Sequence, residues 1–224
     1  MKLKVCGVSD AEFALEAARL GVDYLGFIFE PSSPRFVTVE AAAKIAAALS
    51  AAECRARLVG VFVSQTVDEI VSVMREARLG VVQLHRRATE NDVAALRAAG
   101  FEVWTLAGGA LGDGAIFDSS HGDGEKMFSR LPCKTILAGG IGIDNLAEAV
   151  SLGPDVIDVN SSVEATLGKK SIDLLKEFMA AYAAHIAHGT AICYTTKSWK
   201  AQSNVLVNPA RPSGNAAVRL FPAK

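Results

Sequence analysis

The feature that most constrains the fold is a regular alternation of short apolar runs with longer amphipathic segments. Eight runs are rich in Val, Ile, Leu and Phe, which is typical of strands covered on both faces of a parallel sheet. They predict strands at Leu3–Cys6, Tyr24–Phe29, Arg57–Val63, Val81–His85, Glu102–Leu106, Ala115–Asp118, Thr135–Ala138 and Val156–Val159. The amphipathic segments predict helices at Asp10–Leu20, Val39–Leu49, Val67–Ala77, Glu90–Ala99, Asn145–Leu152 and Ile172–Ala184.

This alternation predicts an α/β protein with a parallel sheet, because parallel neighbours need a right-handed crossover that usually contains a helix. Eight such units in 224 residues fit a single closed (β/α)8 TIM barrel. An open, doubly wound sheet that binds its ligand at a switch point is the alternative. The barrel is favoured because polar motifs follow many different strands.

Two segments depart from the regular pattern. Only AGGALGDG lies between the fifth and sixth strands, so we expect the fifth helix to be reduced or missing. The segment SSHGDGEKMFSRLP, after the sixth strand, has room for a short helix at most.

The composition changes after the last predicted helix. Residues 186–224 contain five basic residues and no acidic ones. We therefore divide the chain into a catalytic barrel at residues 1–185 and a basic, non-barrel tail at residues 186–224. The composition favours a mobile tail, and the alternative is a segment that folds back onto the acidic barrel.

Composition also excludes several classes of protein. The formal net charge of -1 gives no sign of a nucleic-acid-binding protein. The sequence contains neither a secretory signal nor an apolar run long enough to span a membrane, so we expect a cytoplasmic protein. The four cysteines form no CxxC pair, which favours free thiols over a zinc site; they are Cys6, Cys54, Cys133 and Cys193.

Chemically useful side chains follow several of the predicted strands. In TIM barrels the active site lies at the carboxyl ends of the strands, so we expect these side chains around one rim. They are Cys6, Arg35, Gln83, His85, Asp118, Asp158 and Asn160. A cysteine at the end of a strand is usually a buried structural residue, but in this company Cys6 is a candidate for chemistry.

Two small polar turns predict a phosphate site. Gly139 and Gly140 follow the seventh strand in LAGGIGIDN, and Ser161 and Ser162 follow the eighth in DVNSSVE. Backbone N–H groups of these two loops often bind phosphate in TIM barrels, and glycine leaves their approach open. The alternative is that the glycine pair only forms a tight turn. The motif is not a Walker A loop, because no GK[ST] follows it.

Longer motifs carry a family resemblance. The opening KVCGVSDAEFALEAARLGVDYLGFIFEPSSPRFVT is followed, in order, by VGVFV, VQLH, LAGGI, DVNSSVE and GKK. Over roughly residues 2–184 the chain resembles the phosphoribosylanthranilate isomerases of tryptophan biosynthesis. The resemblance implies an Amadori rearrangement of N-(5-phosphoribosyl)anthranilate by general acid–base catalysis, without a metal or cofactor.

The resemblance also implies roles for individual residues. Cys6 matches the base that removes the C2 proton, and Asp118 matches the acid that opens the furanose ring. A thiolate at neutral pH needs a nearby cation or dipole, and a proton-donating carboxylic acid needs a raised pKa. Arg35, in SPRF, matches an arginine that contacts the substrate, for which the anthranilate carboxylate is the expected partner.

Gln83, His85 and Asp158 are further expected substrate contacts. The expected partner is a small sugar phosphate, with neither nucleic acid nor membrane involved, and the chain is expected to be a monomer or a homodimer. The sequence departs from the family where Arg86 and Arg87 follow VQLH in place of glycine, and where SSHGDGEKMF only loosely resembles GGTGKTF.

Two alternatives stay open at this point. Other phosphate-binding barrels isomerise or epimerise sugar phosphates, including the ProFAR isomerase of histidine synthesis, which uses two aspartates where this chain has a cysteine on the first strand. The second alternative is a catalytically silent phosphate-binding barrel.

Overall fold

A computed structural model describes residues 1–118 and 132–192 of the chain, with side chains up to residue 187. Its centre is a closed barrel of eight parallel strands. The strands are β1 (Lys2–Val5), β2 (Tyr24–Ile28), β3 (Arg57–Phe62), β4 (Val81–Leu84), β5 (Glu102–Leu106), β6 (Gly114–Asp118), β7 (Lys134–Ala138) and β8 (Val156–Val159). Because β1 pairs with both β2 and β8, the sheet has no edge, and the predicted barrel is confirmed over the open sheet.

Helices cover the outside of the barrel. They are α1 (Ala11–Arg19), α2 (Val39–Ala51), α3 (Val67–Glu76), α4 (Glu90–Ala98), α5 (Leu146–Ser151) and α6 (Ile172–Ile192). Hydrogen bonds cap the first turns of α1 and α3: the Asp10 carboxylate accepts from the Phe13 N–H at 2.8 Å, and Thr66 and Glu69 form a capping box.

The reduced fifth crossover is also confirmed. Residues 107–113, all of them described, contain no helix between β5 and β6. The Thr105 hydroxyl donates to the Ala110 carbonyl at 2.8 Å and accepts from the Gly112 N–H at 3.2 Å, so the chain returns in a compact turn. The other irregular segment, residues 119–131, lies outside the described residues together with the short helix expected there.

The structure departs from the sequence analysis in two places. A hairpin of β9 (Glu164–Thr166) and β10 (Lys169–Lys170) follows β8 and was not predicted. The end of the last helix was wrong, because α6 continues past Ala184 to Ile192. The predicted tail beyond residue 192 lies outside the described residues, and its separation from the barrel stays a prediction.

The core has two parts. One lies between the strands and the helices, and the other fills the lumen of the barrel. In the lumen, Tyr24 and Trp104 pack edge to face with ring centres 4.9 Å apart. The opposite end of the lumen holds buried polar side chains, of Lys4, Gln83 and Asp158. Among the described helices, none combines the length and the hydropathy that a membrane span needs.

Candidate active site

A pocket of about 320 Å³ opens at the carboxyl ends of the barrel strands. The strands bring together residues that are far apart in sequence, and ten of the eleven candidate residues named from the sequence line this pocket. These are Cys6, Arg35, Gln83, His85, Asp118, Gly139, Gly140, Asp158, Asn160 and Ser161. Ser162 is the eleventh, and it is not among the lining residues.

Cys6 directly follows β1 at the floor of the pocket. Its side chain is mostly buried, and its backbone N–H donates to the Val159 carbonyl at 2.8 Å. Burial raises the pKa of the Cys6 thiol above its ordinary value, and the positive charges of Lys4 and Lys170 oppose only part of this rise. The pocket without ligand therefore favours the thiol over the thiolate that the resemblance implied.

A buried ion pair lies beside Cys6 and was missed in the sequence. Lys4 Nζ donates to Asp158 Oδ2 at 2.6 Å, and the Lys4 side chain is fully buried. Burial lowers the pKa of Lys4, but the attraction of Asp158 and Cys6 outweighs this effect and leaves that pKa raised. The available signal was the spacing, because residues two apart on a strand share a face and Lys4 lies two before Cys6.

Asp118 and His85 lie close together across the pocket. Asp118 is the last residue of β6, and His85 directly follows β4. His85 Nε2 and Asp118 Oδ2 are 3.8 Å apart, which is too long for a hydrogen bond and close enough for electrostatic attraction when the imidazole is protonated.

Arg35 reaches the pocket from the loop after β2, where it is held by a second ion cluster. Its Nε and Nη2 donate to the two carboxylate oxygens of Glu164, at 2.7 and 2.8 Å. Lys170 Nζ donates to the same carboxylate at 2.9 Å and to Asn160 Oδ1 at 2.7 Å. Two cations share one carboxylate, so the cluster keeps a net positive charge at the pocket mouth. Glu164 and Lys170 come from the hairpin that was not predicted.

Two acceptors at the pocket floor have no hydrogen-bond partner among the described residues. They are Gln83 Oε1 and Asp158 Oδ1, and both atoms are buried. Buried polar atoms are rarely left unpaired, so these two oxygens suit the hydroxyl groups of a ligand.

The loops after β7 and β8 meet on one side of the pocket. Gly139 and Gly140 have φ of 95° and 65°, values that favour glycine. A Cβ atom placed on Gly140 would meet nothing within 4 Å, so the backbone is open to an approaching group. Ser162 Oγ is buried without a partner among the described residues, and its Cβ would lie 3.5 Å from a Cβ on Gly142.

The two arginines after VQLH do not enlarge the charge of the pocket. Arg86 forms two hydrogen bonds with Asp92, at 2.9 and 3.2 Å, at the start of α4. Arg87 is exposed. In the described part of the chain, no group of three or more His, Cys, Asp or Glu side chains is arranged to hold a metal ion.

Comparison with known proteins points to one family. Residues 3–181 match the sequence profile described as N-(5'phosphoribosyl)anthranilate (PRA) isomerase. The N-(5'-phosphoribosyl)anthranilate isomerase of Campylobacter jejuni subsp. jejuni serotype O:6 is 33% identical over 203 residues, which cover 80% of this chain and 97% of that protein.

Solved structures agree with this match. Phosphoribosyl anthranilate isomerase from Thermus thermophilus has a TM-score of 0.69 and 32% identity, covering 82% of this chain and 99% of that one. A phosphoribosyl anthranilate isomerase in complex with reduced 1-(o-carboxyphenylamino)-1-deoxyribulose 5-phosphate has a TM-score of 0.65 and 25% identity, covering 82% and 99%. A structure of monomers generated from the dimeric Thermotoga maritima enzyme has a TM-score of 0.65 and 26% identity, covering 82% and 98%.

Proposed function

The chain belongs to the N-(5'-phosphoribosyl)anthranilate isomerase family, and we propose that Cys6 and Asp118 are the base and the acid of its reaction. The enzyme catalyses the Amadori rearrangement of N-(5-phosphoribosyl)anthranilate to 1-(2-carboxyphenylamino)-1-deoxy-D-ribulose 5-phosphate, a step of tryptophan biosynthesis. The observation that carries the assignment is that Cys6, after β1, and Asp118, on β6, line the same pocket from different parts of the ring.

The two groups divide the proton transfers. Asp118, as the carboxylic acid, donates a proton to the ring oxygen, and the furanose opens to an iminium ion. Cys6, as the thiolate, takes the proton from C2, and the electron pair of the C–H bond neutralises the iminium nitrogen. The resulting enolamine tautomerises to the ketose product. A base and an acid on separate strands suit this sequence, because the two protons belong to different atoms of the sugar.

The remaining pocket residues bind the substrate in this proposal. Arg35 recognises the anthranilate carboxylate, since Glu164 occupies its Nε side and the cluster keeps a net positive charge. Gln83 and Asp158 accept hydrogen bonds from sugar hydroxyls, and His85 lies beside Asp118. Gly139, Gly140, Ser161 and Ser162 bind the phosphate through the loops after β7 and β8.

The expected partner is the sugar phosphate alone, without nucleic acid, in a cytoplasmic enzyme that is a monomer or a homodimer. The dimeric and monomeric forms of the Thermotoga maritima protein support both states.

A fluorescence assay with purified protein tests the proposal. Freshly prepared N-(5-phosphoribosyl)anthranilate should lose its fluorescence at a rate proportional to enzyme concentration, and Cys6→Ala should abolish this loss. A catalytically silent barrel would give no enzyme-dependent loss. Conversion of ProFAR without conversion of the anthranilate substrate would favour the histidine-pathway activity. A structure with product phosphate bound away from the loops after β7 and β8 would contradict the phosphate assignment.

A further inference from the structure

Lys4 is a fully buried lysine. Within the described residues it forms an ion pair with Asp158, at the floor of the pocket. Its partner in the β1–β8 register is Asp158, which explains why the two side chains meet at 2.6 Å inside the lumen. Lysine is rarely buried without a partner, and a buried ion pair contributes little to stability when well-packed apolar residues could replace it. The pair therefore suggests a role beyond holding the barrel together.

Lys4 and Cys6 lie side by side. A Cβ atom placed on Gly26 of β2 would lie 3.0 Å from Cys6 Sγ and 3.2 Å from Lys4 Cε, so the two side chains flank one point of the barrel wall. Gly26 leaves this space to them. The thiol therefore lies on one side of Lys4, while Asp158 Oδ2 holds the ammonium from β8 at 2.6 Å.

We propose that Lys4 is a positioning residue for Cys6: it supplies the buried positive charge against which the thiolate forms, and Asp158 holds that charge in place. The proposal rests on the assignment of Cys6 as the base. When Cys6 loses its proton, the ammonium is already next to the new negative charge, so no side chain has to reorganise. Asp158 pairs with Lys4 through one carboxylate oxygen and keeps the other for the ligand.

Other charges act on Cys6 and are part of the balance. The positive charges of Lys4 and Lys170 favour the thiolate, whereas the carboxylate of Asp158 disfavours it. The groups that face Cys6, Lys4 and Asp158 from the surrounding strands and loops are Lys170, Arg35, Asp118 and His85. Lys4 has the largest effect among the charges that favour the thiolate, which makes it the residue to change.

Alkylation of the thiol measures this effect without requiring catalysis. In a background with Cys54, Cys133 and Cys193 changed to Ser, Cys6 is the only thiol. Below the thiol pKa, the rate of reaction with iodoacetamide is proportional to the thiolate fraction, so a pKa rise of one unit lowers the rate about tenfold. We expect Lys4→Met to lower the alkylation rate at pH 8 at least about tenfold, and Lys4→Arg to restore most of it.

Matched variants separate charge from packing. Lys2→Met removes an exposed lysine from the same strand and should leave the rate unchanged. Lys4→Met leaves Asp158 buried without its partner, so the double variant Lys4→Met/Asp158→Asn serves if the single one does not fold. Its alkylation should also be slower than in the parent, and less so than in the single variant, because the carboxylate that opposes the thiolate is gone too.

Steady-state kinetics complete the test. Lys4→Met should lower kcat and shift the acidic limb of the pH–rate profile to higher pH, because the thiol ionises less readily. KM should change much less. The proposal is overturned if a folded Lys4→Met or double variant alkylates within about twofold of the parent, or if alkylation slows while kcat and its pH profile stay the same. If the parent shows the expected thiol behaviour but no isomerase activity, the proposed function fails and the charge coupling stands.

Discussion

The two ends of the barrel lumen use polar groups in opposite ways. At the amino end of the strands, Glu102 accepts hydrogen bonds from Trp104 Nε1, Arg57 Nη1 and Lys134 Nζ, at 2.7, 2.5 and 2.7 Å. At the carboxyl end, Gln83 Oε1 and Asp158 Oδ1 are buried without a partner among the described residues. The Tyr24 hydroxyl is an exception at the amino end, since it also has no partner there.

This difference separates stability from function within one continuous lumen. The amino end combines a paired carboxylate with the aromatic packing of Tyr24 and Trp104, which stabilises the fold. The carboxyl end leaves acceptors open and buries a thiol next to an ion pair, which costs stability and prepares a binding site. In TIM barrels the active site lies at the carboxyl end, so the cost falls where ligand contacts can offset it.

The largest expected effect comes from removing the proposed base and acid at the carboxyl end. Cys6→Ala and Asp118→Asn should each lower kcat by at least about two orders of magnitude, because each proton transfer is typically worth about 10²–10⁴ in rate. Cys6→Ser should fail as well, since an alcohol has a far higher pKa than a thiol and does not ionise to a base near neutral pH. Steady-state assays measure the rates, and thermal unfolding should show that the variants stay folded. Cys54→Ala is the matched control, because that thiol lies outside the pocket lining. A near-normal kcat in Cys6→Ala would mean that Cys6 is a structural residue and not the base.

Removing a large side chain at the amino end of the lumen should have the opposite effect, lowering stability and leaving activity nearly unchanged. Trp104→Ala removes a fully buried ring that packs on Tyr24 and donates to Glu102, so we expect a loss of about 3–5 kcal/mol in the free energy of unfolding. Urea titration measures this loss. Activity per folded molecule should change little at low temperature. Trp104→Phe, which keeps most of the packing, should lose much less stability, and a large drop in kcat without loss of stability would mean that the two ends are not separate.

A third comparison is between Arg35, at the pocket mouth, and Arg57, at the amino end of the lumen. Arg35→Lys keeps the charge but loses the planar guanidinium, so we expect KM to rise about tenfold with kcat changed much less. Arg57→Lys, the matched change at the amino end, should leave KM within about twofold. Equal effects of the two variants on KM would contradict the assignment of Arg35 to substrate binding.

Much of the fold could be predicted because it depends on local patterns. Each strand is a short apolar run, and Asp10 and Thr66 mark helix starts through local hydrogen bonds. The segment between β5 and β6 is too short for a helix, so its absence follows from chain length. The β9–β10 hairpin escaped prediction because its stability depends on Glu164 pairing with Arg35, which lies 129 residues away. No local pattern contains that contact.

The candidate site was also predictable only where it depends on local patterns. Strand ends and glycine turns indicated which residues would meet at the rim, because the parallel barrel places all carboxyl ends together. The burial of Lys4 could not be found from composition, since lysines mostly lie in solvent. The two-residue spacing places Lys4 on the same face as Cys6, and the register that sets Lys4 opposite Asp158 shows that this face is the lumen. The bonds of Arg86 to Asp92 are likewise a matter of the folded geometry of α4.

The smallest expected effect concerns the pH dependence of stability at the two ends of the lumen. The bonds from Lys134, Trp104 and Arg57 outweigh burial and lower the pKa of Glu102 to about 2. A lowered carboxyl pKa stabilises the fold above the unfolded pKa of about 4.3, and this contribution is lost as the pH falls towards 2. Because Glu102 is partly screened by solvent, we expect this contribution to the free energy of unfolding to be about 1 kcal/mol. It is measured by urea unfolding as the change in stability between pH 6 and pH 3 that Glu102→Gln removes.

Cys6 should affect stability with the opposite pH dependence. Burial raises the pKa of the Cys6 thiol, so the folded state favours the thiol, and stability falls as the pH rises above the pKa of the thiol in the unfolded chain. Cys6→Ala should therefore flatten the alkaline side of the stability profile and leave the acid side unchanged, while Glu102→Gln should do the reverse. If both variants altered the same side, the two ends of the lumen would share one electrostatic environment, and the separation of stability from function would not hold.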